Sequence, residues 1–326
     1  MKTRALGLLA GAVIDAALGD PQRWHPVAGF GRAAGALERA MWRPSRVAGA
    51  AYTCLCVGSA VTLGRLVAGR PRSMRRAAAT GAATWAVLGA RSLGAEALRI
   101  DRALAGGDLA AARALVPRLC GRDPESLDEA GIIRATVESV AENTSDAVVA
   151  PLVWGALAGP AGLLGYRAVN TLDAMVGHRS ERHRAFGWAS ARLDDVANFV
   201  PARLTGLLTA AAAPLVGGSG AVALRVMRSD GGRHPSPNSG RCEAAFAGAL
   251  GVRLGGTNTY STRSDDVRVE HRPHLGTGRI PVREDIARAV RLQRLVTAAT
   301  VVLAAATAVV TERVRTNAPD SERVSA

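Results

Sequence analysis

The sequence is short of aromatic residues, nearly without lysine and without cysteines spaced as a CxxC pair, and each shortage narrows what it encodes. Aromatic residues make up 4% of 326 positions against 48% hydrophobic ones, so the apolar content is aliphatic and small. Of 41 basic residues only Lys2 is a lysine, and arginine supplies the rest of a net charge of +14. A clustered basic stripe would suit a phosphate backbone. These arginines instead flank apolar runs, as Arg70, Arg72, Arg75 and Arg76 do, where they mark cytoplasmic loops and meet anionic lipid. No nucleic-acid partner is expected. Cys54, Cys56, Cys120 and Cys242 lack the two-residue spacing of a redox motif or zinc knuckle, so no disulfide framework is implied, and Cys54 and Cys56 read as small packing residues. No Walker A sequence and no complete dinucleotide fingerprint is present. No alternating run is long enough for a strand.

What the sequence does have is a series of stretches free of Asp, Glu, Lys and Arg: Val47–Gly64, Ala77–Ala90, Ala147–Tyr166, Leu204–Leu224 and Leu295–Thr311. A bilayer-crossing helix needs about 20 mostly apolar residues, so these five are candidate spans, the second short and the fourth broken by Gly217-Gly218-Ser219-Gly220. Their Ala and Gly suit close helix packing in lipid. Positive-inside logic sets Arg23–Arg46 and Arg70–Arg76 on one side, which a single crossing by Val47–Gly64 contradicts. At the N-terminus Lys2 and Arg4 precede an apolar stretch, but Asp15 interrupts it and no small-residue cleavage site precedes Gly19-Asp20-Pro21, so it reads as retained, with Leu6–Leu18 as a further membrane-associated or re-entrant helix. In Gly94–Leu119, Gly106-Gly107-Asp108 reads as a helix end and a new N-cap, giving an antiparallel pair. The expectation is a mainly α, multi-pass helical protein of the cell membrane, with roughly four to six membrane-associated helices. It is expected to form one embedded domain over residues 1–315, with a disordered polar tail over 316–326.

Three polar clusters sit beside the apolar stretches. In the first, Glu138, Glu142 and Asp146 recur every four residues, placing three carboxylates on one helical face beside Asn143. Like charges at that spacing repel, so the face persists more readily if a cation, an arginine or a protonated carboxyl relieves it; magnesium with a nucleotide phosphate is one such cation, and a solvated acidic face is the alternative. In the second, Arg167, Asn170 and Asp173 precede Gly177, which is placed to end the helix, and the charged loop Arg179–Arg184 follows. His178 and His183 lack cysteine partners for zinc, and solvation is the expected state of that loop's charges. The third runs Asp194-Asp195 to Asn198 and Arg203, where Asp194 and Asn198 share a face and Asp195 projects about 100° away. Two loops add His25 near a turn at Gly19-Asp20-Pro21, and His234 to Ser239 with Ser236 and Asn238, before Gly255-Gly256. A glycine pair can bring backbone amides to phosphate, and equally marks a turn.

Taken together, these segments resemble the adenosylcobinamide-phosphate synthase family of cobalamin biosynthesis. The ordered matches run from Gly19-Asp20-Pro21 and His25-Pro26-Val27 through Gly121-Arg122-Asp123, Val140 to Asp146 and Ala168 to Gly177. They continue through Asp194 to Asn198, Pro201 to Leu204, Ser236-Pro237-Asn238, Glu243-Ala244, Ala247 to Gly251 and Leu254-Gly255-Gly256. The resemblance implies a multi-pass membrane enzyme that uses ATP to join (R)-1-amino-2-propanol phosphate, or aminopropanol, to the f propionate of adenosylcobyric acid. Other late enzymes of that pathway are possible partners. The sequence departs from the family pattern after Gly256, where Thr257–Tyr260 leads into the charged stretch Arg263–His271.

A carboxylate must be activated, as acyl phosphate or acyl adenylate, before an amine attacks it. This chemistry assigns Glu142, Asp146, Asp194 and Asp195 to magnesium and nucleotide, and Arg167 and Arg203 to phosphate groups, with Asn170, Asn198, Ser236, Asn238, Gly255 and Gly256 as further cofactor contacts. Glu138 or His25 would take the amine proton, with Glu142, Asn143 and Asp173 as the other candidate catalytic residues. A transporter is the alternative, since membrane-edge carboxylates also mark ion pathways, although no inverted repeat is evident.

Overall fold

The computed structural model describes residues 3–19, 25–69, 73–178, 180–261 and 267–317. The Asp20-Pro21 turn, Arg70, Arg72, Arg179, the Arg263–Asp266 part of the charged stretch and the tail beyond 317 lie outside the described residues.

In chain order the helices are α1 (Thr3–Leu18), α2 (Pro26–Met41), α3 (Arg46–Ala68), α4 (Met74–Val87), α5 (Ala90–Ala105), α6 (Leu109–Leu115), α7 (Glu129–Thr144) and α8 (Ala150–Ala158). There follow α9 (Pro160–Leu172), α10 (His183–Phe186), α11 (Trp188–Ala197), α12 (Phe199–Ala212), α13 (Gly220–Ser229) and α14 (Ser239–Leu250). A hairpin of β1 (Leu254–Ser261) and β2 (Val267–Leu275) precedes the long α15 (Glu284–Asn317). The chain folds into two interleaved compact units, one of Met1–Leu88, Ala150–Ala197 and Ala299–Ala326, the other of Gly89–Val149 and Asn198–Ala298.

In the first unit α1 packs on α4 through glycines. A Cβ on Gly7 would come within 2.6 Å of the Ala77 carbonyl oxygen, and one on Gly11 within 2.5 Å of the Gly81 carbonyl oxygen. This small-residue spacing lets the two backbones approach. Elsewhere in the unit the Tyr52 and Phe186 rings meet at 5.1 Å over a core containing Leu172 and Val176. In the second unit Ile132, Val137 and Val140 of α7 share a core with Phe246 and Leu250 of α14 and Val290 of α15. The pair expected around Gly106 is present: α5 ends there, and Asp108 caps α6 by accepting from the Ala111 N–H at 2.8 Å.

Among the described residues, three helical segments are long and apolar enough to cross a membrane: Arg46–Ala68, Phe199–Val216 and Glu284–Val314. Two of the five sequence candidates are therefore corrected. Ala147–Tyr166 is interrupted because Gly159 takes φ +66° and Pro160 opens a new helix, so α8 and α9 form a tight helical hairpin. Ala77–Ala90 runs through the end of α4, whose 14 residues are too few to span, to the first residue of α5. The stretch from Leu204 stops at Gly217, φ +73°, as its glycines indicate, and Ser219 caps α13. The expected absence of strands is also corrected. The hairpin begins at Gly255 and Gly256, with φ of +82° and +101° and a register irregularity between Leu254 and Gly256, so glycine conformation starts the strand where side-chain alternation gives no signal.

Candidate functional site

In the second unit α7 and α14 bring carboxyls together, and the hairpin covers them with arginine and backbone amide. Asp128 starts α7 by accepting from the Gly131 N–H at 2.7 Å. Nearly three turns later Glu138 is 3% exposed, too buried to remain charged without partners. Arg122 supplies one, in a buried ion pair with one carboxylate oxygen, while the Gly255 N–H donates to the other at 2.6 Å. Arg134, one turn earlier, is 4.0 Å away and also donates to the Thr257 carbonyl at 2.9 Å. Burial alone would raise the Glu138 pKa; the Arg122 charge and hydrogen bond, the Gly255 amide and Arg134 outweigh it and hold the carboxyl below its ordinary range.

Glu243 of α14 is the opposite case. It is 1% exposed, no side-chain donor reaches its Oε2, and its Oε1 lies 3.6 Å from His234 Nε2. Burial, followed by the charges of Glu138 and Glu142, pushes its pKa well above the usual carboxylate value and so favours its neutral form. His234 receives Arg272 Nη1 at 3.1 Å on Nε2. An arginine only donates, so Nε2 accepts; Nδ1 then carries the hydrogen and faces the Ser236 carbonyl oxygen at 3.2 Å rather than accepting from the Ser236 N–H at 3.0 Å. Burial and the Arg272 charge lower the His234 pKa and keep the ring neutral. The repulsion expected along α7 is thus relieved in one of the anticipated ways, by an arginine on Glu138.

Glu142 differs from both. It is half-buried, forms no ion pair among the described residues, and accepts one hydrogen bond from the Ser239 hydroxyl at 2.7 Å. Ser239 opens α14, and Ser236 holds that turn by accepting from the N–H groups of Asn238 and Ser239 at 3.3 and 3.1 Å. Arg203 donates to Asn238 Oδ1 at 2.8 Å and lies 3.6 Å over the Phe199 ring. Asn143 turns back to the Ser139 carbonyl at 3.0 Å. After Thr144 the helix widens into a π turn over Ser145–Val149, so the α-helical stripe ends before half-buried Asp146. Gly255 spends its amide on Glu138, and a Cβ on Gly256 would meet Arg134 at 2.8 Å, so this pair serves the cluster's packing. Asn198 is buried at the start of α12.

The remaining sequence candidates lie in the first unit. His25 caps α2, its Nδ1 accepting from the Val27 N–H at 3.1 Å. Arg167 reaches Asn170 at 3.4 Å, and Asp173 opens a second π turn that ends at Gly177, where the sequence places the helix end. Asp194 and Asp195 are half-buried on α11, with Arg192 3.3 Å from Asp195. The loop after Gly177 is not simply solvated, which corrects the sequence reading. His183 binds Glu38 at 3.1 Å and His178 at 3.1 Å, and Arg182 meets Glu38 at 3.2 Å. Among the described residues no group of three or more His, Cys, Asp or Glu is arranged to hold a metal. A magnesium ion that arrives with phosphates needs only one or two carboxylates, and half-buried Asp146 of the second unit would supply one.

Sequence reasoning gave no role to Arg122, Glu243, His234 or Arg272. Arg122 stands 16 residues before its partner in a loop, and Arg272 belongs to a hairpin that no periodicity announces, so only the fold brings them to α7 and α14.

Such a chain, with helices of membrane-crossing length and a buried acid–base cluster beside a β-hairpin, is a mainly helical protein of membrane-associated character. The family model described as CobD/Cbib protein matches residues 8–293, and the chain belongs to that family, which acts in cobalamin biosynthesis. Over 303 residues it is 52% identical to "Cobalamin biosynthesis protein CobD" of Mycobacterium tuberculosis, covering 93% of this chain and 95% of that one. The proteins of the same name from Geobacter metallireducens and Rhodobacter capsulatus are 47% identical over 263 residues and 42% over 296. These alignments cover 78% and 86% of this chain and 82% and 90% of those relatives. No solved structure matches the chain.

Proposed function

We propose that this protein is the membrane-bound, ATP-dependent ligase that joins (R)-1-amino-2-propanol phosphate, or aminopropanol, to the f propionate of adenosylcobyric acid. The observation that carries this reading is the division of labour among three carboxyls of the second unit. Glu138 is charged and sealed, Glu243 is buried and neutral, and Glu142 is half-buried with a single hydroxyl donor. ATP supplies activation, converting a carboxylate oxygen into a leaving group. The amine then forms the C–N bond, the activated oxygen leaves with its phosphate or nucleotide, and the amine proton goes to Glu142, the candidate general base. Glu138 is a positioning residue here, because Arg122 and Gly255 occupy both its oxygens, and His25 is committed to capping α2. Arg134 and Arg272 balance negative charge near the cluster, and Arg203 with Asn238 is placed at the start of α14 for a phosphate. Magnesium would neutralise nucleotide phosphates, with Asp146 as its protein ligand in this reading and Glu142 left free as the base.

The test is mass spectrometry of corrinoids after membranes carrying the protein are incubated with adenosylcobyric acid, aminopropanol phosphate, ATP and magnesium. Adenosylcobinamide phosphate formed only when all four are present is the expected result. No amide product from folded protein, with free aminopropanol also supplied, would overturn the reading.

A further inference from the structure

The first unit contains a cavity of about 490 Å³ that the chemistry above does not use. Val57 and Val61 of α3 line it together with Trp154, Tyr166 and Leu193, so most of its wall is apolar. Its only ionisable side chains besides Tyr166 are Arg65 and Arg76, and no Asp or Glu lines it. Arg65 lies in the last turn of α3 and Arg76 in the first turn of α4, so both belong to the end of the cavity where one helix passes into the next. Neither guanidinium has an ion-pair partner among the described residues, and Arg76 Nε is buried with no acceptor.

Two unpartnered cations at one end of an apolar cavity fit an amphiphile with an anionic head. The position of α3 selects the kind. It is one of the helices long and apolar enough to cross a membrane, only 33% of its apolar window is buried, and Leu55, Leu63 and Leu66 face outward. A spanning α3 places Arg65, in its last turn, at the level of lipid headgroups, with the apolar wall reaching into the hydrocarbon. We infer that this cavity binds one anionic phospholipid, its phosphate between Arg65 and Arg76 and an acyl chain along Val57, Val61 and Trp154. The bound lipid would fill the space left by α3, α9 and α11 and satisfy the buried Arg76 donor.

The test uses full-length protein purified in detergent, stripped of lipid and offered dioleoyl phosphatidylglycerol, dioleoyl phosphatidylcholine or inorganic phosphate. Bound molecules are counted by native mass spectrometry. One phosphatidylglycerol per chain is expected, retained about 30-fold better than phosphatidylcholine, as two guanidiniums near the headgroup provide, and not displaced by excess phosphate. R65Q/R76Q should lose this preference and R65K/R76K should keep it. Equal retention of both lipids by wild type, or undiminished phosphatidylglycerol on R65Q/R76Q, would overturn the inference. Displacement by inorganic phosphate would assign the arginines to a soluble anion and overturn it equally. The wild-type comparison decides the matter by itself if R65Q/R76Q does not fold.

Discussion

Arg122 and Glu138 form an ion pair whose side chains are 5% and 3% exposed, 16 residues apart in sequence, joining the loop before α7 to the helix that carries the site's carboxyls. Removing one member leaves the other charge buried and uncompensated, which costs about 3–5 kcal/mol. Arg122→Ala is therefore expected to lower stability by that amount, and Glu138→Gln to lower it less, because Gln still accepts from the Gly255 N–H. Denaturation in detergent, followed by α-helical circular dichroism, measures both. The pH dependence has a definite sign. Glu138 has a lowered pKa in the fold, so its stabilisation is present above the ordinary carboxylate value of 4.5 and is lost as pH falls through the folded value.

Glu243 titrates in the opposite sense. Its folded pKa is raised, so its contribution is complete below 4.5 and declines as pH rises toward the folded value. Glu243→Gln keeps the shape and the neutral state, and is expected to fold within about 1 kcal/mol of wild type below pH 4.5 and to be the more stable of the two near neutral pH. Thermal melts of the two proteins across pH should show wild type losing stability relative to the variant as pH increases above 4.5. A pH-independent difference would mean that Glu243 is charged in the folded protein.

The glycine contact between α1 and α4 makes a separate prediction. At Gly11 a side chain would strike the Gly81 backbone oxygen and Thr84, so Gly11→Leu must push the helices apart. The expected cost is about 1–3 kcal/mol, read as a lower melting temperature of the purified protein. Gly58, where a Cβ would meet nothing within 4 Å, is the control, and Gly58→Ala should leave the melting temperature unchanged or raise it slightly.

Much of this architecture is legible in local chemistry. The absence of charge from Val47 to Gly64 marks α3, Asp108 announces the start of α6, Gly217 ends the segment after α12, and Gly177 ends the turn after α9. What is local in cause is local in signal. The α8–α9 hairpin is hidden because Gly159-Pro160 leaves the apolar run unbroken in composition while reversing its direction. The site is half legible for the same reason. The spacing of Glu138 and Glu142 indicates a repulsion to be relieved, but the relieving group, Arg122, comes from a loop, and the third carboxyl, Glu243, comes from α14. The β-hairpin escapes notice because Gly255 and Gly256 begin it through backbone conformation alone.

The most direct test of the account concerns Glu142. Membranes carrying wild type or Glu142→Gln, matched for folded protein, are given adenosylcobyric acid, aminopropanol phosphate, ATP and magnesium, and the rate of amide formation is followed by mass spectrometry. A general base of this kind contributes about 10²–10⁴-fold, so the variant should slow by that factor with corrinoid binding retained. Amide formation by Glu142→Gln at the wild-type rate would contradict the assignment of the reaction to this cluster.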